Sequence, residues 1–125
     1  MKVLFAAGGT GGHVIPALVV AQELVARRPD TEVLFVGTAK GVENRLVPQA
    51  GFRLELVQVG AWQGQSLAIR LANLAGGPRA LVQALGILRR FQPQVVLGVG
   101  GYASGPIMFA AGIAGIPLAI LEPNA

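Results

Sequence analysis

Residues 3–13 read VLFAAGGTGGH, an apolar run followed by four glycines, a threonine and the only histidine of the chain. A buried strand, a glycine loop and the start of a helix are predicted in that order, because Pro16 and a helix-periodic apolar stripe follow the loop. Glycine lets the backbone approach a ligand closely, and the N–H groups at a helix start attract phosphates and sugars. The stretch therefore predicts an α/β fold with a ligand site after the first strand.

The rest of the chain alternates predicted strands with predicted helices. The apolar runs are continuous, as in strands buried on both faces, so we expect a Rossmann-like parallel sheet covered by helices on both faces, in one domain of residues 1–125. Ligands of such sheets bind beyond the carboxyl ends of the strands. The strands are predicted at residues 2–7, 32–36, 53–59, 95–97 and 117–121. The helices are predicted to begin at Pro16 and near residues 41, 67, 78 and 107, and Gly76-Gly77-Pro78 is expected to separate the third helix from the fourth.

The composition excludes several classes of protein. Hydrophobic residues make up 53% of the 125 and charged residues 13%, which excludes a disordered chain. The chain has no cysteine, which excludes disulfide scaffolds, thiolate zinc sites and cysteine catalysis. No cluster of histidine and aspartate indicates a metal site, so we expect neither a metal nor a cofactor. Residues 91–121 carry no charge, but glycine and proline interrupt them so often that buried strands fit better than a membrane span.

Charge is unevenly distributed along the chain. The formal net charge is +4, and no acid lies within residues 56–121, whereas Arg70, Arg79, Arg89 and Arg90 do. This part of the chain is expected to face an anionic partner or the surface of an anionic membrane. Nucleic acid is disfavoured as a partner, because the basic residues form no dense cluster and few aromatic residues are present to stack on bases.

Two common nucleotide sites do not match the glycine loop, which we call the first glycine segment (residues 8–13). The dinucleotide fingerprint needs a third glycine where Val14 stands, and it needs an acid at the end of the second strand, where the chain has Gly37-Thr38. A Walker A loop needs Gly-Lys-Ser/Thr after the glycines, and this chain lacks it. Redox and NTPase functions are therefore disfavoured.

A second glycine segment, residues 98–106, reads GVGGYASGP at the end of the predicted fourth strand. Taken alone, it is consistent with a tight turn in which Ser104 caps the next helix. Two glycine segments at one edge of a sheet favour a cradle of backbone donors, which suits a diphosphate.

Two titratable residues are expected at the same edge. His13 closes the first glycine segment, and imidazole can act as a base near neutral pH, although a lone histidine at a helix start can also be a cap. Glu122 is the only acid at the carboxyl edge of a predicted strand. It can act as a base, orient the histidine or be a surface carboxylate, and the sequence does not decide which of the two residues is the base.

Three motifs together resemble the MurG family, the UDP-N-acetylglucosamine:undecaprenyl-pyrophosphoryl-N-acetylmuramyl-pentapeptide N-acetylglucosamine transferases. They are GGTGGH at residues 8–13, GGYASGP at 100–106 and Glu122-Pro123-Asn124, in this order over the whole chain. The last motif departs from the His-Glu-Gln-Asn that is common in the family, since Leu121 and Pro123 stand at two of its positions. The resemblance implies the N-terminal half of a GT-B glycosyltransferase, with the C-terminal donor domain absent and no transfer by this chain alone.

The resemblance also implies an activity. It is the inverting transfer of N-acetylglucosamine from UDP-N-acetylglucosamine to the 4-hydroxyl of a lipid-linked muramyl-pentapeptide acceptor, for peptidoglycan synthesis, cell shape and cell division. The protein would be peripheral, at the cytoplasmic face of the inner membrane. His13 and Glu122 would be the catalytic candidates. The substrate-binding candidates would be Thr10, Gly11, Gly12, Gly100, Gly101, Tyr102, Ser104 and Asn124.

An acceptor with a diphosphate and a polyprenyl tail needs cationic and apolar surface side by side. The expected membrane patch consists of Trp62, Leu67, Ile69, Arg70, Leu71, Leu74, Arg79 and Leu81, although leucines at such positions can equally belong to the core. Two further interpretations stay open. The chain can be a stand-alone membrane-binding acceptor subunit of a two-chain glycosyltransferase, or a nucleotide-binding module.

Overall fold

The computed structural model describes residues 1–7, 11–39, 41–57, 67–99 and 104–121, and the side chains of residues 11–13, 67–78 and 104 lie outside that description. Five strands alternate with four helices in the described chain. The elements are β1 Lys2–Ala6, α1 Gly11–Arg27, β2 Glu32–Gly37, α2 Glu43–Gln49, β3 Arg53–Leu56, α3 Leu67–Phe91, β4 Val95–Gly98, α4 Ser104–Ala114 and β5 Leu118–Ile120.

These five strands form one parallel sheet in the order β3-β2-β1-β4-β5. The chain starts in the middle of the sheet, moves outward to β3, and then crosses back to place β4 on the other side of β1. Because connections between parallel strands are right-handed, this change of direction sends the helices of the two halves to opposite faces. The predicted Rossmann-like sheet is confirmed, and its strand order reverses between β1 and β4, where such sheets bind ligands.

Each face of the sheet is covered by one pair of helices. On one face α1 and α2 pack against Phe5 and Phe35, whose rings stack with their centroids 4.9 Å apart. On the other face α3 and α4 pack against Leu4 and Leu34. Neighbouring residues of a strand point to opposite faces, and all four of these side chains are fully buried. This double coverage explains why the strands read as continuous apolar runs.

The helix α3 corrects a predicted break. Two helices separated at Gly76-Gly77-Pro78 are expected from the sequence, but the backbone is helical without interruption from Leu67 to Phe91. The proline removes one helical N–H, and the glycines weaken the helix without blocking it. Tertiary packing supplies the missing stability, because Ala84 and Leu88 of α3 are buried in the core between the helix and the sheet.

Two other helices begin earlier than predicted. The helix α1 begins at Gly11 rather than at Pro16, so the last three residues of the first glycine segment are helical. Pro16 is tolerated because its missing N–H affects only the carbonyl of Gly12, close to the helix start. The helix α4 begins at Ser104 rather than near residue 107, so Ser104 belongs to its first turn. The strand β3 ends at Leu56, and residues 58 and 59 of its predicted range lie outside the described chain.

Candidate active site at the carboxyl edge of the sheet

The two glycine segments leave the sheet from neighbouring strands. Ala6 of β1 is in register with Gly98 of β4, and the Val99 N–H donates a hydrogen bond to the Ala6 carbonyl over 3.0 Å. Ala7 is the last described residue before the first glycine segment, and the second segment begins at Gly98, so the chain enters both segments from neighbouring strands where the strand order reverses. This pairing is the geometric basis of the candidate site.

The end of β5 reaches the same edge on the far side of β4. Ile120 is in register with Gly98, and the Leu121 N–H donates to the Gly98 carbonyl over 2.8 Å. Position 122 therefore comes directly after the strand that borders the second glycine segment. The topology thus brings Ala7, Val99 and Leu121, the described residues that directly precede the three predicted motifs, to one edge of the sheet.

The start of α1 faces this edge with backbone donors. Gly11, Gly12 and His13 form its first residues, and N–H groups at that position have no carbonyl partner within the helix. A helix start that comes after a strand end is suited to bind an anion. Because glycine has no side chain, a ligand can approach the first of these N–H groups closely.

Most side chains of the predicted site and patch residues lie outside the described part of the structure. The side chains of His13, Ser104 and the predicted patch residues Leu67, Ile69, Arg70, Leu71 and Leu74 are not described, although their backbones are helical. The roles assigned to all of these residues stay predictions. The residues wholly outside the description are Thr10, Trp62, Gly100, Gly101, Tyr102, Glu122 and Asn124.

A buried carboxylate at this edge was not expected from the sequence. Glu43, the first residue of α2, is 0% exposed, and its Oε1 accepts hydrogen bonds from the backbone N–H of Thr38 (2.8 Å) and from the Thr38 hydroxyl (3.1 Å). The side chain lies against Gly37 and Gly41, where an added Cβ would overlap it. A glutamate five residues after a Gly-Thr pair is the only sequence signal, and it is weak.

We call residues 37–39 and 41–43 the β2–α2 turn. The side-chain amide of Asn44 closes this turn from outside, because its Nδ2 donates to the carbonyls of Thr38 and Gly41. The end of β2 is thus occupied by the chain's own carboxylate. Dinucleotide-binding sheets place there an acid that faces the ribose, so this geometry agrees with the exclusion of a dinucleotide on sequence grounds.

The outer surface of α3 and α4 is apolar and cationic in its described part. Arg79 is exposed as the membrane prediction requires, whereas Leu81 is half-buried and packs against the core. Val82, Phe109 and Ile113 are more than 60% exposed, and none of them was predicted to belong to this surface. Among the described helices, none has both the length and the apolar character needed to cross a bilayer.

The described residues offer no group of three or more histidine, cysteine, aspartate or glutamate side chains that could hold a metal ion.

Comparison with known proteins identifies the family. The model of the glycosyltransferase family 28 N-terminal domain matches residues 3–125. A relative from Anaeromyxobacter sp., described as UDP-N-acetylglucosamine--N-acetylmuramyl-(pentapeptide) pyrophosphoryl-undecaprenol N-acetylglucosamine transferase, is 50% identical over 125 residues, which are 100% of this chain and 33% of the relative. A Magnetococcus marinus protein with the same description is 52% identical over 124 residues, which are 99% of this chain and 34% of the relative.

A solved structure agrees with these relatives. The crystal structure of Acinetobacter baumannii MurG is similar with a TM-score of 0.83 and 34% identity, over 99% of this chain and 36% of that chain. This chain spans about a third of the length of the curated relatives that it matches. The resemblance carried by the three motifs is confirmed by these similarities. Since the family model covers nearly every residue, the chain belongs to glycosyltransferase family 28 and contains the N-terminal domain of that family.

Proposed function

We propose that this chain is the acceptor-binding domain of an inverting hexosyltransferase. The enzyme moves N-acetylglucosamine from UDP-N-acetylglucosamine to the 4-hydroxyl of undecaprenyl-pyrophosphoryl-N-acetylmuramyl-pentapeptide. The observation that carries the proposal is the 50% identity, over the full length of this chain, to a relative described as a transferase with that donor and acceptor. The donor is held largely by a second domain, which corresponds to the part of the relatives that this chain does not match.

The two glycine segments bind the diphosphate of the acceptor in this proposal. Backbone N–H groups at the start of α1 and after β4 donate hydrogen bonds to its oxygens, and the strands that lead into the two segments, β1 and β4, are neighbours in the sheet. Thr10, Gly11, Gly12 and Asn124 also contact the donor across the cleft.

Transfer with inversion needs one base at the acceptor hydroxyl. As the 4-hydroxyl oxygen attacks C1 of N-acetylglucosamine, the bond from C1 to the UDP oxygen breaks, UDP leaves, and the base removes the hydroxyl proton. His13 is our first candidate, because its backbone lies in the first turn of α1 at the edge of the sheet. Glu122 is the second candidate, because it comes after β5 at the same edge.

A chimera tests this proposal. Residues 1–125 replace the matching third of the Anaeromyxobacter relative, and transfer from labelled UDP-N-acetylglucosamine to the lipid-linked acceptor is measured. We expect acceptor-dependent transfer, because the identity extends over the whole exchanged segment. A chimera that folds, binds UDP-N-acetylglucosamine and yet never uses this acceptor would contradict the proposed function.

The same chimera tests the two candidate bases. We expect His13→Ala to lower kcat by at least about a hundredfold while the protein stays folded, because general-base catalysis contributes on the order of 10² to 10⁴. Glu122→Gln is the matched comparison. Wild-type kcat for His13→Ala, with a large loss for Glu122→Gln, would move the base to Glu122.

The domain docks on the anionic membrane surface that holds its acceptor. No acid lies within residues 56–121, while Arg79 is exposed on α3, and Phe109 and Ile113 are exposed on the neighbouring α4. A basic residue near an anionic surface contributes about 1 kcal/mol, and exposed apolar side chains add to this by insertion.

Co-sedimentation with vesicles tests the membrane proposal. We expect the 125-residue chain to bind vesicles that contain phosphatidylglycerol much more strongly than neutral phosphatidylcholine vesicles, and Phe109→Ser/Ile113→Ser or Arg79→Gln to weaken the binding. Glu23→Gln on α1 is the control, because it lies on the opposite face of the sheet. Equal binding to both kinds of vesicle, or no effect of the three α3 and α4 changes, would refute this docking surface.

A further inference from the structure

A pocket lies between the ends of α3 and α4, at the opposite end of these helices from the carboxyl edge of the sheet. Its volume is about 440 Å³, within the range of about 300 to 1,000 Å³ that is usual for small-molecule sites. We propose that this pocket binds a small amphiphilic carboxylate, which is a molecule with an apolar chain and one anionic head group. The inference goes beyond the proposed transfer and does not rest on it.

The wall of the pocket is apolar and suits the chain of such a ligand. It consists of Leu85, Leu88, Pro93, Ala114 and Ile116. Leu88 and Pro93 are buried, and Leu85 and Ile116 are half-buried and pack against the core beneath α3 and α4. Because this packing holds the wall in place, an apolar chain that enters the pocket leaves water without first having to order the protein.

Arg89 gives the pocket a positive charge. None of the lining residues is acidic. The neighbouring Arg90 donates to Glu55 over 3.0 Å, whereas Arg89 has no carboxylate partner among the residues that the structure describes. A guanidinium binds a carboxylate through two parallel hydrogen bonds. A single cation matches a monoanion, whereas a phosphate monoester carries nearly two negative charges.

Gln92 lines the pocket with a strained backbone. Its φ is 53°, in the left-handed region, and no other residue of the described chain except glycine has a positive φ. The helices α2 and α4 also end in a left-handed residue, but there it is glycine, at Gly51 (φ 86°) and Gly115 (φ 74°). Glycine fits this backbone better than glutamine does. Strain of this kind persists at functional sites, and the Gln92 amide can donate a hydrogen bond to the head group.

The carbonyl groups at the two helix ends are compatible with an anion in the pocket. The Gln92 N–H donates to the Leu88 carbonyl over 2.8 Å, and the Ile116 N–H donates to the Ala111 carbonyl over 2.9 Å. Arg89 itself stands in the last turn of α3, where a cation offsets the negative end of the helix. A head group beside Arg89 therefore faces a guanidinium and capped carbonyls.

The experiment measures binding of octanoate to the isotope-labelled 125-residue chain by NMR titration. Acetate has the head group without the chain, and octanol has the chain without the charge. We expect saturable amide shifts at Gln92 and Ile116 with octanoate, and binding at least about tenfold weaker for either comparison compound, because each lacks one of the two interactions. No saturable binding of octanoate, or equal binding of octanoate and octanol, would overturn the proposal.

Two variants test the polar residues. Arg89→Gln should weaken octanoate binding about tenfold, because it removes the charge-assisted hydrogen bonds. Arg28→Gln, which lies beyond the end of α1 on the opposite face of the sheet, makes the same change of charge and should leave the affinity unchanged. Gln92→Gly should weaken binding about fivefold and at the same time raise the denaturant midpoint of unfolding, because glycine relieves the left-handed strain.

The stability readout separates a binding role from a structural one. A purely structural Gln92 predicts a higher midpoint with wild-type affinity in Gln92→Gly, and that result, or wild-type affinity in Arg89→Gln, would overturn the proposal. Phosphatidylglycerol vesicles distinguish a soluble ligand from a membrane lipid. If Arg89→Gln weakens binding to these vesicles while the wild-type chain binds no octanoate, the pocket belongs to the membrane-docking surface and the proposal is wrong.

Discussion

At the amino edge of the sheet, oppositely charged side chains form a solvent-exposed ion pair. At the carboxyl edge, the carboxylate of Glu43 is buried and accepts hydrogen bonds from a backbone N–H and a hydroxyl. Lys2 lies 3.8 Å from Glu32 at the starts of β1 and β2, and the two side chains are 43% and 63% exposed. Glu43 at the opposite edge is 0% exposed. Both edges belong to the same strands, so the difference comes from the segments that connect the strands at each edge.

The charges at the amino edge are solvated by water, whereas the charge of Glu43 is buried and its hydrogen bonds fix the conformation of the neighbouring chain. Exposed ion pairs contribute little because water competes for both partners. A buried carboxylate costs free energy unless its hydrogen bonds are satisfied, so its neighbours must be arranged around it. The amino edge can therefore change with little consequence, while the carboxyl edge is constrained.

Removal of the buried carboxylate is expected to have the largest effect on stability. Glu43→Ala leaves two buried donors of Thr38 without this acceptor and opens a cavity, so we expect a loss of about 3 kcal/mol in the free energy of unfolding. Denaturant unfolding measures it, with Glu32→Ala at the amino edge as the control. A loss no greater than that of Glu32→Ala would erase the difference between the edges.

A methyl group at the β2–α2 turn should have the next largest effect. The Cβ in Gly41→Ala would overlap the buried Glu43 carboxylate, so we expect a loss of about 2 kcal/mol. Gly86→Ala on α3 is the matched control, since no atom lies within 4 Å of its added Cβ, and it should gain about 0.5 to 1 kcal/mol. The same sign for both substitutions would show that Glu43 is not confined.

The smallest effect is expected at the amino edge. A double-mutant cycle with Lys2→Gln and Glu32→Gln should give a coupling of about 0.5 kcal/mol for the pair, because both side chains are exposed. The coupling should fall as salt is raised from about 0.05 to about 0.5 M, since salt screens exposed charges. A coupling above about 2 kcal/mol would mean that this edge, too, depends on its charges.

Much of the fold could be predicted from the sequence because the strands are marked by their hydrophobic pattern. Apolar runs such as residues 3–7 and 33–36 can be buried only between two layers of helices, and the glycine segments mark where strands end. The predicted break at Gly76-Gly77-Pro78 was wrong because helix propensity is local, whereas α3 is stabilised by packing on the sheet.

The position of the candidate site could be predicted from the sequence, but the buried carboxylate of Glu43 at the same edge could not. Strand order and register bring residues 7, 99 and 121 to one edge, and the motifs that come after them were recognisable. Glu43 could not be recognised, because its burial depends on two glycines and a threonine that approach it only in the folded chain. The exposure of Phe109 and Ile113 could not be predicted either, because α4 has no polar face that would distinguish its exposed side from its buried side.

The most direct test of the central claim asks which edge of the sheet binds the diphosphate. The isotope-labelled 125-residue chain is titrated with inorganic pyrophosphate, and amide chemical shifts are followed by NMR. We expect the largest shifts at Gly11, Gly12, Val99 and Leu121, with Lys2, Glu32 and Arg53 unchanged. Saturable shifts at those three amino-edge residues, with none at the carboxyl edge, would contradict the claim.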